Sequence, residues 1–321
     1  MAIRYFGLIA LFVLFFLTGC VKPIEVPVPE IEKLPVVNCL FSPDSLFRLR
    51  LTETSGLNDS LFGVIEGAEC ILSQDNRVID TFDYVGNGFY LSRIFPEIGK
   101  MYTLEVQTPD GHRLAGFSYI PQGVDIIKVE QQDFAVADNN PDLDGDLILP
   151  FNRVSITFHD KAGEENYYEV RLLVKRFWED SLSNQFLSVP LFSYDNSIKA
   201  EDILDYSPAV LPFSDSLFDG QTKTLDVLYH LPWWEMYQEN GHNVYTYGKY
   251  RIFLIFREIS KQFYLYRKSL IKHLYNQQTD SYEILGDPVQ LFTNIAGGYG
   301  IFAGYVQYID TIFVSGSSIT Y

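Results

Sequence analysis

Cationic side chains are scarce in this chain. Only 24 Lys and Arg stand against 41 Asp and Glu, for a formal net charge of -17 over 321 residues. Proteins that grip a phosphate backbone neutralise it with clustered Lys and Arg, so this balance argues against nucleic acid as a partner. Histidine is rarer still. The five, at positions 112, 159, 230, 242 and 273, are scattered, with no pair at metal-ligand spacing and no cysteine cluster beside them, which argues against a zinc centre. His159-Asp160 has no Gly-x-Ser-x-Gly elbow or other nucleophile signature to serve, and reads as a turn after a strand. Internal repeats are absent, and the apolar run at residues 5–17 is too short to span a bilayer comfortably, which takes about 20 such residues.

That short run has a different use. Arg4, residues 5–17 and Thr18-Gly19 supply, in order, the basic start, apolar core and small-residue cleavage site of a secretory signal. Leu17-Thr18-Gly19-Cys20 matches the bacterial lipobox, in which the thiol is alkylated with diacylglycerol, the signal is cut before the Cys and the new amine is acylated. A plain signal peptide or an uncleaved anchor would leave the small residues before Cys20 unexplained. Covalent lipid on Cys20 is therefore expected, and at about 0.8 kcal/mol per buried methylene three chains would hold the protein in a membrane essentially permanently. Residues 22–35 carry four prolines and alternate charged with apolar groups, as a stalk would. In the polyproline II conformation, at about 3.1 Å per residue, such a stalk could hold a folded body up to roughly 40 Å from the lipid. Val21 stands where an inner-membrane retention Asp would sit, which favours the outer membrane, on its periplasmic or cell-surface face.

The body is 47% hydrophobic and 16% aromatic across the whole chain, ample for one or two buried cores. Period-two patterning predicts strands at 36–41, 47–51, 68–72, 78–82, 89–93, 102–107 and 112–119, with Asn87-Gly88 and Asp110-Gly111 where hairpins need positive φ. Seven short strands at this spacing predict an immunoglobulin-like or transthyretin-like β-sandwich over 35–121. Longer strands follow at 126–129, 153–158, 167–177, 222–229, 249–257 and 304–314. Ser260 can cap a helix over 261–276, in which Phe263, Tyr266, Arg267, Leu270, Ile271 and Leu274 share a face and Lys261, Lys268 and Lys272 point mostly to solvent. The chain is thus read as mainly β: signal peptide 1–19, lipidated Cys and stalk 20–34, sandwich 35–121, and a larger β-rich domain with one amphipathic helix over 122–321.

Several segments together resemble a known family. They are Leu34-Pro35-Val36-Val37-Asn38 after the lipobox and stalk, Gly67-Ala68-Glu69-Cys70-Ile71-Leu72-Ser73, Gly86-Asn87-Gly88-Phe89-Tyr90 and Pro96-Glu97-Ile98-Gly99-Lys100-Met101-Tyr102-Thr103-Leu104. With Asp287-Pro288-Val289-Gln290-Leu291-Phe292-Thr293-Asn294-Ile295 and Gly300-Ile301-Phe302-Ala303-Gly304-Tyr305 near the end, the chain resembles the DUF4249 lipoproteins of Bacteroidota over nearly all its mature length. Cys39 departs from the pattern, which more often has Gly there. The resemblance brings no catalytic residues with it. It implies an uptake-associated envelope role beside a TonB-dependent outer-membrane receptor, by association alone.

Sharper chemistry has candidates with bland competitors. Asn140, Asp142, Asp144 and Asp146 resemble the first half of a calcium loop, but the twelfth position is Phe151 rather than a bidentate Glu, so a solvated acidic loop competes. Cys39 and Cys70 both lie on inward strand faces and would either pair as a disulfide or pack as small hydrophobes. Trp233, Trp234 and Tyr237 form the densest aromatic stretch, suited to a partner or ligand patch if exposed and to a core if not. The leading functional expectation is a non-enzymatic binding or accessory subunit of an uptake system. The alternatives are an envelope hydrolase acting on glycans or peptides, and a structural surface protein. An enzyme should show convergent carboxylates with shifted pKa values in a deep pocket, and an accessory protein a broad apolar or aromatic patch.

Overall fold

In the computed structural model the protein is described over residues 32–56, 63–138, 149–178, 181–206, 208–231, 233–278 and 289–320. Cys20, most of the stalk and the loop with Asn140, Asp142, Asp144 and Asp146 lie outside these residues. The chain is mainly β, as its patterning predicts. The first strands are β1 (Pro35–Phe41), β2 (Arg48–Glu53), β3 (Glu69–Gln74), β4 (Arg77–Thr81), β5 (Asp83–Gly86), β6 (Phe89–Leu91), β7 (Met101–Gln107) and β8 (Arg113–Tyr119). Then come β9 (Asp125–Asp138), β10 (Leu149–His159), β11 (Tyr167–Trp178), β12 (Ser181–Leu182), β13 (Leu187–Ser188), β14 (Leu191–Phe192), a four-residue helix α1 (Asn196–Lys199), β15 (Val210–Ser214) and β16 (Thr222–Tyr229). The chain closes with β17 (Trp234–Glu239), β18 (His242–Tyr247), β19 (Tyr250–Ile259), α2 (Lys261–Gln278), β20 (Ile295–Ala296), β21 (Tyr299–Val314) and β22 (Ser317–Thr320).

Alternation sets the layers. Tyr102, Leu104 and Val106 of β7 are buried while Met101, Glu105 and Gln107 face outward. Asn87 and Gly88 hold φ of 53° and 74°, the paired left-handed geometry of a tight hairpin. The same geometry occurs at Asp75 and Asn76 (51° and 61°) and at Asn240 and Gly241 (52° and 83°), two hairpins the sequence reading did not mark.

One ten-stranded sheet runs through the whole body, in the order β12-β11-β19-β21-β1-β2-β6-β5, with β13 and β15 also on β11. Two smaller sheets pack on its inner side. The sheet β20-β8-β7-β3-β4 covers the β1–β2 end and encloses Val37, Leu49, Leu72, Leu104 and Phe302. The sheet β14-β16-β10-β9 covers the β11–β19 end and encloses Phe158, Leu172, Ile252 and Phe256. Each side chain of this size contributes about 1.5 to 3 kcal/mol when fully buried. The first sandwich is thus completed by C-terminal strands β20 and β21.

The strand that joins the two sandwiches is β21. It pairs with β19 from Tyr305 to Val314 and, in parallel, with β1 from Tyr299 to Gly304. Glycine makes this approach feasible: Gly300 has φ of 108°, and a Cβ there would overlap the Val37 carbonyl oxygen. A Cβ at Gly304 would overlap the Tyr119 carbonyl oxygen and come within 2.8 Å of the Phe41 ring. The glycines of the closing segment 300–304 therefore mark where three strands crowd together.

On the outer side, α2 crosses the sheet at this junction. Ser260 caps it, accepting the Phe263 N–H at 3.4 Å, and Phe263 and Tyr264 are buried with Tyr167, Ile259, Ile301 and Ala303. Two expectations for the helix are corrected. Leu274 is 46% exposed, because the helix runs past the sheet that would cover it, and Lys268 is held to the buried Glu201 at 2.8 Å instead of pointing to solvent. Arg257 of β19 and Arg267 of α2 both pair with Glu169 of β11 at 2.8 Å, and Glu169 is 1% exposed.

Candidate functional site

The aromatic segment forms a small sheet of its own. β17 and β18 make a hairpin, and β22 adds to β18, giving the order β17-β18-β22. Its base is tied down by a bulge in β9, where the register with β10 shifts between Phe151 and Arg153. There Phe134 adopts φ of 50°, an uncommon conformation for a bulky residue, and its N–H donates to Asn152 Oδ1 at 2.9 Å. The bulge aims the Phe134 ring onto Tyr247, stacked at 4.9 Å. Beside it, Asp133 accepts from Ser317 of β22 and from Tyr250, whose hydroxyl lies 3.1 Å from that of Tyr229. Burial pushes the Tyr229 and Tyr250 hydroxyls up, so both stay protonated.

From this base the edge strand β17 stands out. Met236 is 45% and Tyr237 49% exposed, and Gln238 and Glu239 are exposed as well. Among the described residues β17 pairs with β18 alone, which leaves its other edge open. The expected patch is therefore divided. Trp233 packs half-buried against the second core, with its indole N–H unpartnered, so it belongs to the base and not to the exposed surface. Trp234 opens β17 opposite Tyr247, and its side chain lies outside the described residues.

A second place gathers carboxylates. At the seam where the two smaller sheets meet, cavities of about 320 and 280 Å³ share Gln122 and Glu258 in their walls. Glu258 is 7% exposed, and burial pushes its carboxyl up to about 7, with Asp160 and Glu164 adding to the rise. Nearby, Asp160, Asp215 and Asp219 bring one oxygen each to within 4.8 Å of one another, a spacing a divalent cation could use. Each, however, already accepts a backbone N–H: Gly220 to Asp160 at 2.7 Å, Asn166 to Asp215 at 2.8 Å and Gly163 to Asp219 at 2.9 Å. Tyr168 donates to the second Asp160 oxygen. This cluster laces the β10–β11 loop to the β15–β16 loop. Chain separation hid it, since its members come from segments about fifty residues apart.

Cys39 and Cys70 face each other across the first core as two buried thiols, with no disulfide between them. Burial pushes both up, Cys70 to about 12, so neither is a thiolate at neutral pH. Among the described residues no histidine joins a metal-holding cluster: His112 sits near Asp110, His159 contacts Thr222, and His273 contacts the Val289 carbonyl.

None of the functionally curated proteins matches this chain. A family model does, over residues 21–308, which takes in both sandwiches, α2 and the glycine-bearing junction strand. The chain belongs to the family described as a domain of unknown function, DUF4249.

Proposed function

We propose that the protein is a lipid-anchored, non-catalytic binding subunit of the bacterial envelope, tethered through Cys20 to the outer membrane and working beside a TonB-dependent uptake receptor. The observation that carries the binding role is the edge strand β17, whose open edge and exposed Met236 and Tyr237 are held out by a strained bulge and a buried polar network. An open edge offers main-chain hydrogen bonds to an added strand, and adjacent Met and Tyr offer adaptable apolar contacts. The lipobox and stalk support the location, and the family resemblance supports the receptor.

Affinity purification of the intact lipoprotein from solubilised outer membrane tests this reading. Recovery of a receptor with the parent chain and its loss with Met236→Ser plus Tyr237→Ser is the expected outcome. Recovery with neither, or equal recovery with both, counts against it. The hydrolase alternative rests on Glu258, a carboxyl that titrates near neutrality in a cleft. Asp160, Asp215 and Asp219 are engaged in holding backbone, and Glu164 and Glu165 of the same cavity wall are paired with Lys161 and Lys261, which favours the binding role.

A further inference from the structure

Charge is distributed unevenly about the long sheet. On its outer side, Arg171, Leu173 and Lys175 of β11 lie in register with Ile255, Phe253 and Arg251 of β19, which in turn oppose Ile309, Thr311 and Phe313 of β21. Among the described residues no sheet covers these rows; Phe186 alone of the rings lies across them, edge to face on Phe253 at 5.1 Å. Ile309 is 55%, Phe313 54% and the neighbouring Phe186 50% exposed. Cations and rings are interleaved. Lys175 Nζ lies 3.9 Å from the centre of the Phe186 ring and Arg251 5.6 Å from that of Phe177, while Phe177 and Phe313 meet edge to face at 5.6 Å.

Direct ion pairs are missing here, and the nearest carboxylate to Arg171, Glu169, is already held by Arg257 and Arg267. Among the described residues Arg171, Lys175 and Arg251 form no ion pair with a carboxylate, and the Nε atoms of Arg171 and Arg251 have no hydrogen-bond partner. Burial and the nearby Arg267 and Arg257 disfavour the charged form of Arg171, so an approaching anion would relieve it.

The same side continues across the molecule. α2 lies on it with no acidic residue of its own; its Lys261, Arg267, Lys268 and Lys272 are paired with Glu165, Glu169, Glu201 and Asp202, and its contribution is the exposed Leu265 and Leu274. Beyond β1, Arg48 and Arg50 flank the Phe89 ring at 4.1 and 5.1 Å, again on the outer side. In a chain of net charge -17, one side of one sheet thus collects cations with half-exposed apolar groups between them. They are spread over an extended surface and do not converge on a pocket. An extended partner of opposite charge and apolar interior matches that pattern better than a compact ligand.

We propose that the outer side of the long sheet, with α2, rests on an anionic phospholipid surface. Arg171, Lys175 and Arg251 meet headgroup phosphates, and Phe186, Ile309 and Phe313 dip into the interface. No helix among the described residues is long and apolar enough to cross a membrane. The acidic remainder of the body is repelled by the same lipid, which sets the orientation. This docking does not depend on a partner at β17.

The test is vesicle co-sedimentation of the mature chain, residues 20–321, carrying Cys20→Ser so that no acyl chain contributes. Vesicles are phosphatidylcholine alone or phosphatidylcholine with phosphatidylglycerol. Binding should be about tenfold stronger with phosphatidylglycerol and should weaken as salt rises. Lys175→Glu with Arg251→Glu should remove that preference, and Phe313→Ser should weaken binding at unchanged charge. Arg77→Glu with Lys128→Glu, an equal charge change off this side, should leave most of the preference intact. Near-ultraviolet circular dichroism identical to the parent's is required of every variant compared. Absence of phosphatidylglycerol-dependent binding, or equal loss in the two charge-reversed pairs, overturns the proposal. Loss of a co-purifying receptor in Lys175→Glu with Arg251→Glu, without vesicle binding by the parent, overturns it too and assigns this side to a protein. Because the receptor experiment uses substitutions at Met236 and Tyr237, either reading can fail alone.

Discussion

At the seam, Asp160, Asp215 and Asp219 each accept a backbone N–H and serve the fold, whereas on the outer side of the long sheet Arg171, Lys175 and Arg251 have no ion pair among the described residues. Both places concentrate one sign of charge. They differ in what the charge is bonded to. A buried carboxylate engaged by loop amides is a structural element, and removing it leaves unsatisfied donors. A cation resting on an aromatic ring above an uncovered sheet face keeps most of its capacity for a partner. A cluster of like charge therefore becomes a functional candidate through the donors and acceptors around it, not through its composition.

The contrast can be broken most severely at Glu169, a buried carboxylate among the outer cations. Glu169→Ala leaves Arg257 and Arg267 partly buried beside Arg171 without a counter-ion, and should cost on the order of 3 to 5 kcal/mol in denaturant unfolding. A loss below about 1 kcal/mol would show that the guanidinium groups reach solvent and that the outer side has no buried charge at all. Gly300→Ala strikes the strand that both sandwiches share. Strain at positive φ and overlap with the Val37 carbonyl should together cost roughly 3 kcal/mol and split unfolding into two transitions. A single unshifted transition would show that the junction is not what couples them.

The seam itself is tested by pH. The folded-state pKa of Glu258 is raised to about 7 from an ordinary 4.5, so between these values the folded state holds a proton that the unfolded state has released. The contribution is fully present below the ordinary carboxylate range and is lost as pH rises through about 7. Glu258→Gln should flatten that decline and, at pH 8, stabilise the protein relative to the parent by up to roughly 3 kcal/mol. An unchanged slope between acid and neutral pH would place Glu258 in contact with water. The smallest effect belongs to the open face: Phe313→Ser should change stability by no more than about 0.5 kcal/mol, since a half-exposed side chain loses little burial. A larger loss would mean that Phe313 packs in a covered layer and is not available to lipid.

Much of the secondary structure was legible. Alternation located β1, β2, β3, β7, β8, β16 and β19, and Ser260 located the start of α2. The hairpin at Asp75-Asn76 was missed because it lacks the glycine that marks such a turn, and that at Asn240-Gly241 because the strand before it, β17, is polar at its end and alternates weakly. The four-residue α1 has a capping Asp195 but is too short for periodicity to show. Of the candidate site, Tyr237 was legible as part of the densest aromatic stretch, its exposure left open until the hairpin was placed. Trp233 was not legible as core, since neighbouring positions in a strand point opposite ways and only the docking of the hairpin decides which is covered.

Local sequence by itself determined where most of the alternating segments become strands and where α2 begins, because each depends on neighbours a few residues apart. The tertiary structure alone decided that β20 and β21, from the end of the chain, complete the first sandwich, and that segments remote in sequence meet in one seam. It also decided which side of the long sheet the smaller sheets leave uncovered among the described residues. The first of these outcomes depends on strand register and on glycine-permitted approach between β1 and β21, more than two hundred and fifty residues apart, and the seam on segments about fifty apart, distances over which no pattern of side chains along the chain carries a signal.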